Sequence, residues 1–339
     1  MADPLPVDPT SPAADDRHRR KPAPVHNPVQ VPAPERDPAA LAPVFVLAPA
    51  RSHSSVVTTA IGQHPQLHAF PELGLYRRDT VGPILFDPPG WKGIPNAARL
   101  GGLLRALAQH NHGDQDHDAI LEAYHWLRCR RAWSGAHVYD HLLSRVAPKI
   151  GVEKTPDNSN TDQSLARLAT AYPRARFLHL TRHPVTTQLS MNEAWSRLPY
   201  WNVPPGLFRQ FCMAAWFFHH DRILRFTSTL MLGQTMRVRA EDILNHPRRE
   251  MAAICRWLDL DSGREAVTAM CHPERSPFAS IGPQDARFGN DPNFLRSPRM
   301  RRVEIPPSVD VPDDWLVDPW LLTATIELAH RLGYRHGDP

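Results

Sequence analysis

The chain of 339 residues is long enough to bury a full core, and 39 Lys and Arg against 35 Asp and Glu leave it only mildly basic, at a formal +4. Its basic residues are scattered rather than massed into a stripe with interleaved aromatics, which argues against nucleic acid, and no apolar run approaches the roughly 20 residues that cross a bilayer. Cys129, Cys212, Cys255 and Cys271 show no C-x-x-C spacing and no His cluster at zinc-ligand spacing, so reduced thiols, no metal site and a cytoplasmic protein are expected.

Residues 1–42 are dense in proline and nearly empty of large apolar side chains, so burial cannot offset the entropy of ordering them. A disordered or polyproline-like leader is predicted there, its Arg17-His18-Arg19-Arg20-Lys21 run a solvated tail, with one large domain over 43–339. The domain opens with a strand at Val44–Leu47, a polar turn, and a helix over 54–63 that turns Val56, Val57, Ala60 and Ile61 inward and stops at His64-Pro65. A short extended piece over 67–76 carries Pro71-Glu72-Leu73. Residues 100–147 read as helices anchored by Leu103, Leu104, Leu107, Leu121, Tyr124, Trp126 and Leu127, expected to form a cap.

A short strand at 150–153 breaks into Lys154-Thr155-Pro156, a helix covers 162–172, and Phe177–Thr181 forms a strand that ends at Arg182-His183-Pro184. A Trp-rich linker at Trp195–Trp201 leads into a long helix over 207–226. A strand at 236–240, a helix at 247–258, an irregular stretch over 271–318 and a closing helix over 320–332 complete the chain. Alternating strands and helices predict an α/β fold: a P-loop-like parallel sheet flanked by helices, binding ligands at the C-terminal strand ends.

Three polar places fall on that edge. Strand, loop and helix N-terminus at Val44–Val57 present backbone N–H groups and a positive helix end to an anion, and Arg51, Ser52, Ser54 and Ser55 add donors suited to oxyanions. Arg182, with Ser190 eight residues on, offers a grip for a second phosphate. A nucleoside-triphosphatase loop needs Gly and a Lys-Ser/Thr pair, which this loop lacks, and Arg182 stands where a magnesium-holding aspartate would be, so an anion handled without metal is expected. Lys154 follows the third strand.

Leu47–Val57 resembles the 5′-phosphosulfate loop of sulfotransferases that use 3′-phosphoadenosine 5′-phosphosulfate (PAPS), and Phe177–Met191 is similar to their 3′-phosphate segment. Glu153-Lys154-Thr155-Pro156, Ala240-Glu241-Asp242-Ile243 and His64-Pro65 with Pro71-Glu72-Leu73 resemble three further blocks. Gly289-Asn290-Asp291-Pro292-Asn293-Phe294-Leu295 looks like a stretch of the bacterial sulfotransferase domains of alkene-forming polyketide synthases. The resemblance implies a sulfotransferase fold and sulfuryl transfer from PAPS, with PAP as product. It places Arg51, Ser52, His53, Ser54 and Ser55 on the 5′-phosphosulfate and Arg182 with Ser190 on the 3′-phosphate. Lys154 falls on the leaving oxygen and Glu72 on the acceptor proton, with His64 a second candidate for base or for orienting Glu72. The implied acceptor is a hydroxyl, less readily an amine, on a small molecule or an acyl-carrier-protein-bound chain, its pocket shaped by the cap and the Trp-rich linker. Three positions depart from the pattern: Ala50 for proline, His53 for glycine, and Ala240 for a tyrosine near adenine, where Trp216 is a candidate wall.

Two other readings compete. A nucleotide phosphotransferase on a degenerate P-loop is opposed by the missing lysine and magnesium ligand. A catalytically inactive nucleotide-binding scaffold, recruiting partners through its Pro-rich leader, draws support from His53 at a glycine position.

Overall fold

Val44–Leu47 (β1) is buried on both sides, which only a central strand of a doubly covered sheet achieves. Its alternation divides the core: Val44 and Val46 pack on one face and Phe45 and Leu47 on the other. The computed structural model describes residues 28–86, 96–195, 204–311, 315 and 317–334. After β1 come α1 (Ser54–Ile61), β2 (Leu67–Ala69), α2 (Val81–Phe86), α3 (Asn96–His112), α4 (His117–Arg128), α5 (Gly135–Val146) and β3 (Ile150–Glu153). The second half holds α6 (Asp162–Ala171), β4 (Arg176–Thr181), α7 (Pro184–Trp195), α8 (Pro205–Thr227), β5 (Thr235–Arg239), α9 (Ala240–Asn245), α10 (Pro247–Trp257), α11 (Arg264–Ala269), α12 (Pro292–Arg296) and α13 (Pro319–Arg331).

The strands are parallel in the order β2-β3-β1-β4-β5, with Phe45 beside Phe177 on β4 and beside Glu153 on β3. From central β1 the chain crosses to the β2–β3 side and then returns to the β4–β5 side. The turns leaving β1 and β4 therefore diverge over one crevice, where an α/β sheet binds ligands. The α/β expectation holds, and β1, β3, β4 and β5 lie within a residue or so of their expected places, whereas the extended piece expected over 67–76 is a strand only at Leu67–Ala69 and ends in a 3-10 turn at Leu75–Arg77.

Two expectations about organisation are sharpened. The cap helices over 100–147 do not stand apart from the sheet: they cover its Phe45 face in one cluster with Phe70, Tyr139 and Tyr172. Their apolar stripes are wide enough to serve as core, although Leu121, expected as an anchor, is half exposed. Residues 28–42 are not a free leader either. Val31 pairs with Cys129 O and accepts from Trp133 Nε1, and Arg36 ion-pairs with Asp140 and donates to Ala171 O at 2.9 Å. An extended Pro-rich chain has no internal backbone bonds, so its free polar groups can pair with a groove, which average composition hides. Residues 1–27 and 196–201 of the Trp-rich linker lie outside the described residues.

Phe45 touches the rings of Tyr76, Tyr139, Tyr172 and Phe177 at centroid distances of 5.7–5.8 Å. Truncating it empties the joint between sheet and helices. Phe45→Ala is expected to lower unfolding free energy by about 3–5 kcal/mol, read as a shifted midpoint in denaturant at unchanged slope.

Candidate active site

The turn from β1 into α1 departs from ordinary backbone twice, since Arg51 (φ 65°) and His53 (φ 57°) both lie in the left-handed region. For non-glycine residues such conformations are held only when surroundings over-determine them, and they cluster at functional sites. Here the turn is held from several sides. Arg182 Nη1 donates to the Arg51 carbonyl at 2.6 Å, Arg51 Nε donates to Ser190 Oγ at 3.1 Å, and the Arg51 guanidinium ion-pairs with Asp291. The His53 side chain makes no capping bond and α1 has no acid in its first turn, so the helix N-terminus keeps its positive end for a ligand. Ser52 is fully buried with an unpartnered Oγ, a donor awaiting an oxygen.

Burial, reinforced by Arg182 and Arg51, pushes the His53 imidazole down to about 3, so it is neutral at physiological pH. Burial also lowers Arg182 to about 10; Glu241 favours its charge and Arg51 opposes it, and it stays cationic at pH 7. The Arg182 turn is fixed from behind. His183 N donates to Glu241 Oε1 at 2.7 Å, Tyr334 Oη donates to Glu241 Oε2 at 3.1 Å, and Trp216 Nε1 donates to Arg182 O at 3.0 Å. This gives the Ala240–Ile243 block its role, which is to anchor the neighbouring turn. Trp216 is fully buried, so it braces the Arg182 backbone rather than walling an open adenine pocket.

At the end of β3, Lys154 is almost fully buried, donating to Ser55 Oγ at 3.0 Å and ion-pairing with Glu72, which keeps about a third of its side chain exposed. Ser55 Oγ also accepts from Asp291 N at 2.9 Å, joining α1, β3 and the late chain at one hydroxyl. The Glu72 backbone is clamped: its N–H donates to Gly289 O at 2.7 Å, and a Cβ on Gly102 of α3 would lie 2.1 Å from its carbonyl oxygen. Helix α3, expected to shape the acceptor pocket, instead supports the Glu72 loop.

These groups line a cleft of about 470 Å³, an ordinary size for a small-ligand site. Arg51, Ser52, His53, Ser54, Ser55, Glu72, Arg182 and Ser190 all face it, and Lys154 lies behind Glu72. His64 is the exception and is corrected. It follows the far end of α1, about 12 Å along the helix, where Nε2 meets Asp261 O at 2.8 Å and Nδ1 accepts from Gln66 N. Its ring closes a turn at the opposite edge of the sheet and cannot reach Glu72.

Sequence reasoning missed one wall. Asp291, Arg299, Arg301 and Arg302 come to the cleft from a stretch read as irregular, with Asp291 capping α12 through Asn293 N and Phe294 N. The Arg-Ser-Pro-Arg-Met-Arg-Arg run at 296–302, four cations without an acid, was the signal. Among the described residues no group of three His, Cys, Asp or Glu side chains is placed to hold a metal ion, and no helix is long and apolar enough to cross a membrane.

The model of the Sulfotransferase family matches residues 43–263, and the chain belongs to that family. Its fold is similar to the sulfotransferase domain of the olefin synthase of Synechococcus PCC 7002, at 20% identity over 90% of this chain and 98% of that one, with a TM-score of 0.66. It is similar also to the sulfotransferase domain from the curacin biosynthetic pathway, at 18% identity over 88% and 99% of the two chains and a TM-score of 0.67. Comparison with curated protein sequences found no match.

Gly102→Ala is expected to destabilise the protein by about 1–3 kcal/mol, because its methyl must displace the Glu72 carbonyl. Equilibrium denaturation measures this.

Proposed function

We propose that the protein moves a sulfuryl group from PAPS to a hydroxyl, less readily an amine, of a small-molecule or carrier-tethered acceptor. The observation that carries this reading is the bond between Arg182 Nη1 and the Arg51 carbonyl. It couples two cationic turns at adjacent strand ends, beside an uncapped helix N-terminus. One anion fits over α1 with Arg51, Ser52, His53, Ser54 and Ser55, and a second fits Arg182 and Ser190. A donor with a 5′-phosphosulfate and a separate 3′-phosphate matches that pair. His53, being neutral, contributes a hydrogen bond and no charge.

When bound, the donor supplies the sulfuryl group and leaves as PAP. The protein's part is to hold it in line with the acceptor and to move one proton. Glu72 takes the acceptor proton as the new S–O bond forms and the bridging bond to phosphate breaks. Lys154, held between Glu72 and Ser55, supplies positive charge beside the leaving oxygen. Likeness in fold to sulfotransferase domains of an olefin synthase and of the curacin pathway supports a carrier-bound acceptor. Unpaired Cys129, Cys212, Cys255 and Cys271 suit a reducing, cytoplasmic setting. The phosphotransferase reading is disfavoured because the β1–α1 loop answers phosphate with an arginine and carries no Lys-Ser/Thr pair of its own.

Calorimetry with PAP in the absence of magnesium tests donor binding. Arg51→Ala and Arg182→Ala are expected each to weaken it about tenfold or more, the loss of a charge-assisted contact. With labelled PAPS and a β-hydroxyacyl carrier protein or its free thioester analogue, Glu72→Gln is expected to lower kcat about 100-fold or more while PAP affinity holds. Turnover with ATP and magnesium but not PAPS would overturn the proposal, and PAP binding without transfer to any acceptor would point to the inactive scaffold.

A further inference from the structure

Strand β3 ends in two charged residues that, by alternation, face opposite sides of the sheet. Lys154 faces α1, where it donates to Ser55 and lies behind Glu72. Glu153 faces the aromatic cluster around Phe45, where it is 0% exposed. A carboxylate has no ordinary business in such a place, yet two of the three hydrogen bonds it accepts lead to the backbone just after Glu72. Oε1 accepts from Leu73 N at 3.3 Å and from Thr155 Oγ1, and Oε2 accepts from Asn158 Nδ2 at 2.6 Å. Thr155 Oγ1 in turn accepts from Gly74 N at 3.1 Å, at a residue whose φ of 62° makes the turn. The two backbone N–H groups after Glu72 thus hang from Glu153, one directly and one through Thr155.

We propose that Glu153 is a positioning residue: its buried carboxylate holds the Leu73–Gly74 backbone and thereby sets Glu72 against Lys154. The catalytic consequence rests on the sulfotransferase reading, whereas the anchoring does not. Three donor groups bond the two oxygens, which suits the ionised form and leaves a proton on Glu153 without a good acceptor except the unpartnered Asn158 Oδ1. Titratable groups facing it are Tyr139 from α5 and Tyr76 from the 3-10 turn at 75–77, and the charge of Lys154 reaches it from the other side of the sheet. Both tyrosines are pushed well above their ordinary range by burial, so neither carries charge near pH 7.

Burial raises Glu153 to about 7, against the pull of Thr155, Asn158, Leu73 N and Lys154. Two opposite pH dependences follow. The anchor forms as pH rises through about 7, so the Glu72 loop tightens and kcat climbs. The folded state holds the proton more tightly than the unfolded chain, so this group's contribution to stability is full below the ordinary carboxylate range and is lost as pH rises through about 7.

Hydrogen exchange of unliganded protein, followed in the peptide spanning 71–76 and corrected for intrinsic rates, reads the anchor without any substrate. The expected result is about tenfold more protection at about pH 8 than at about pH 6 in the wild type, with Glu153→Gln unprotected and flat across that range. Glu153→Gln is also expected to lose about tenfold in kcat, with its rise near pH 7 abolished and PAP affinity unchanged. Glu153→Asp, which retains the charge, should recover part of the pH-dependent protection and serves if the Gln variant does not fold. Wild-type protection of this peptide in Glu153→Gln overturns the proposal. Failure of the wild type to bind PAP would instead remove the sulfotransferase reading and leave the anchor standing.

Discussion

The bond from Arg182 to the Arg51 carbonyl is the constraint on which the cleft depends. Two guanidinium groups at adjacent strand ends repel, and each makes the other harder to hold charged. Contact through a peptide oxygen lets the turns touch without bringing the two cationic planes together. The remaining charge is met by acids drawn from elsewhere, Asp291 on Arg51 and Glu241 beneath Arg182. The left-handed backbone at Arg51 and His53 is tolerable because this network fixes the turn from outside.

Behind each turn stands a second layer that touches no ligand. Glu241, Tyr334 and Trp216 hold the Arg182 backbone, while Glu153, Thr155, Gly102 and Gly289 hold the Glu72 loop. Both layers centre on a buried glutamate that accepts backbone N–H donors, and burial raises both carboxyls above their ordinary range. A charge placed this way is sensitive to removal of a single donor, which suits a site that needs one geometry rather than several.

Much of this was legible in the chain. Continuous apolar runs at β1 and β4, each ending in a turn with an arginine, placed the sheet and two of its cationic edges, because strand ends in a parallel sheet share one side. The pairing of Lys154 with Glu72 could be guessed only as proximity; its passage through Ser55 is a matter of packing. His64 misled because a His-Pro helix stop sits close in sequence to Glu72 but a helix length away in space. The seat of the helices over 100–147 on the Phe45 face was not legible, because an apolar helix stripe does not say which surface it covers, and residues 28–42 misled because composition averages over single anchors such as Val31 and Arg36. The arginines at 299–302 escaped notice since nothing local says where an irregular segment returns.

That returning segment lies beyond residues 43–263, which the family model matches. Asp291, the arginines at 299–302 and Tyr334 all follow it, yet they complete one wall of the cleft and the support of the Arg182 turn. A ribosome that has released every strand of the sheet has still not made Asp291, the acid on Arg51, or Tyr334, the side-chain donor to Glu241. Completion of the cleft is thus a late event of synthesis, and the Arg51 guanidinium has no acid against it until that segment arrives.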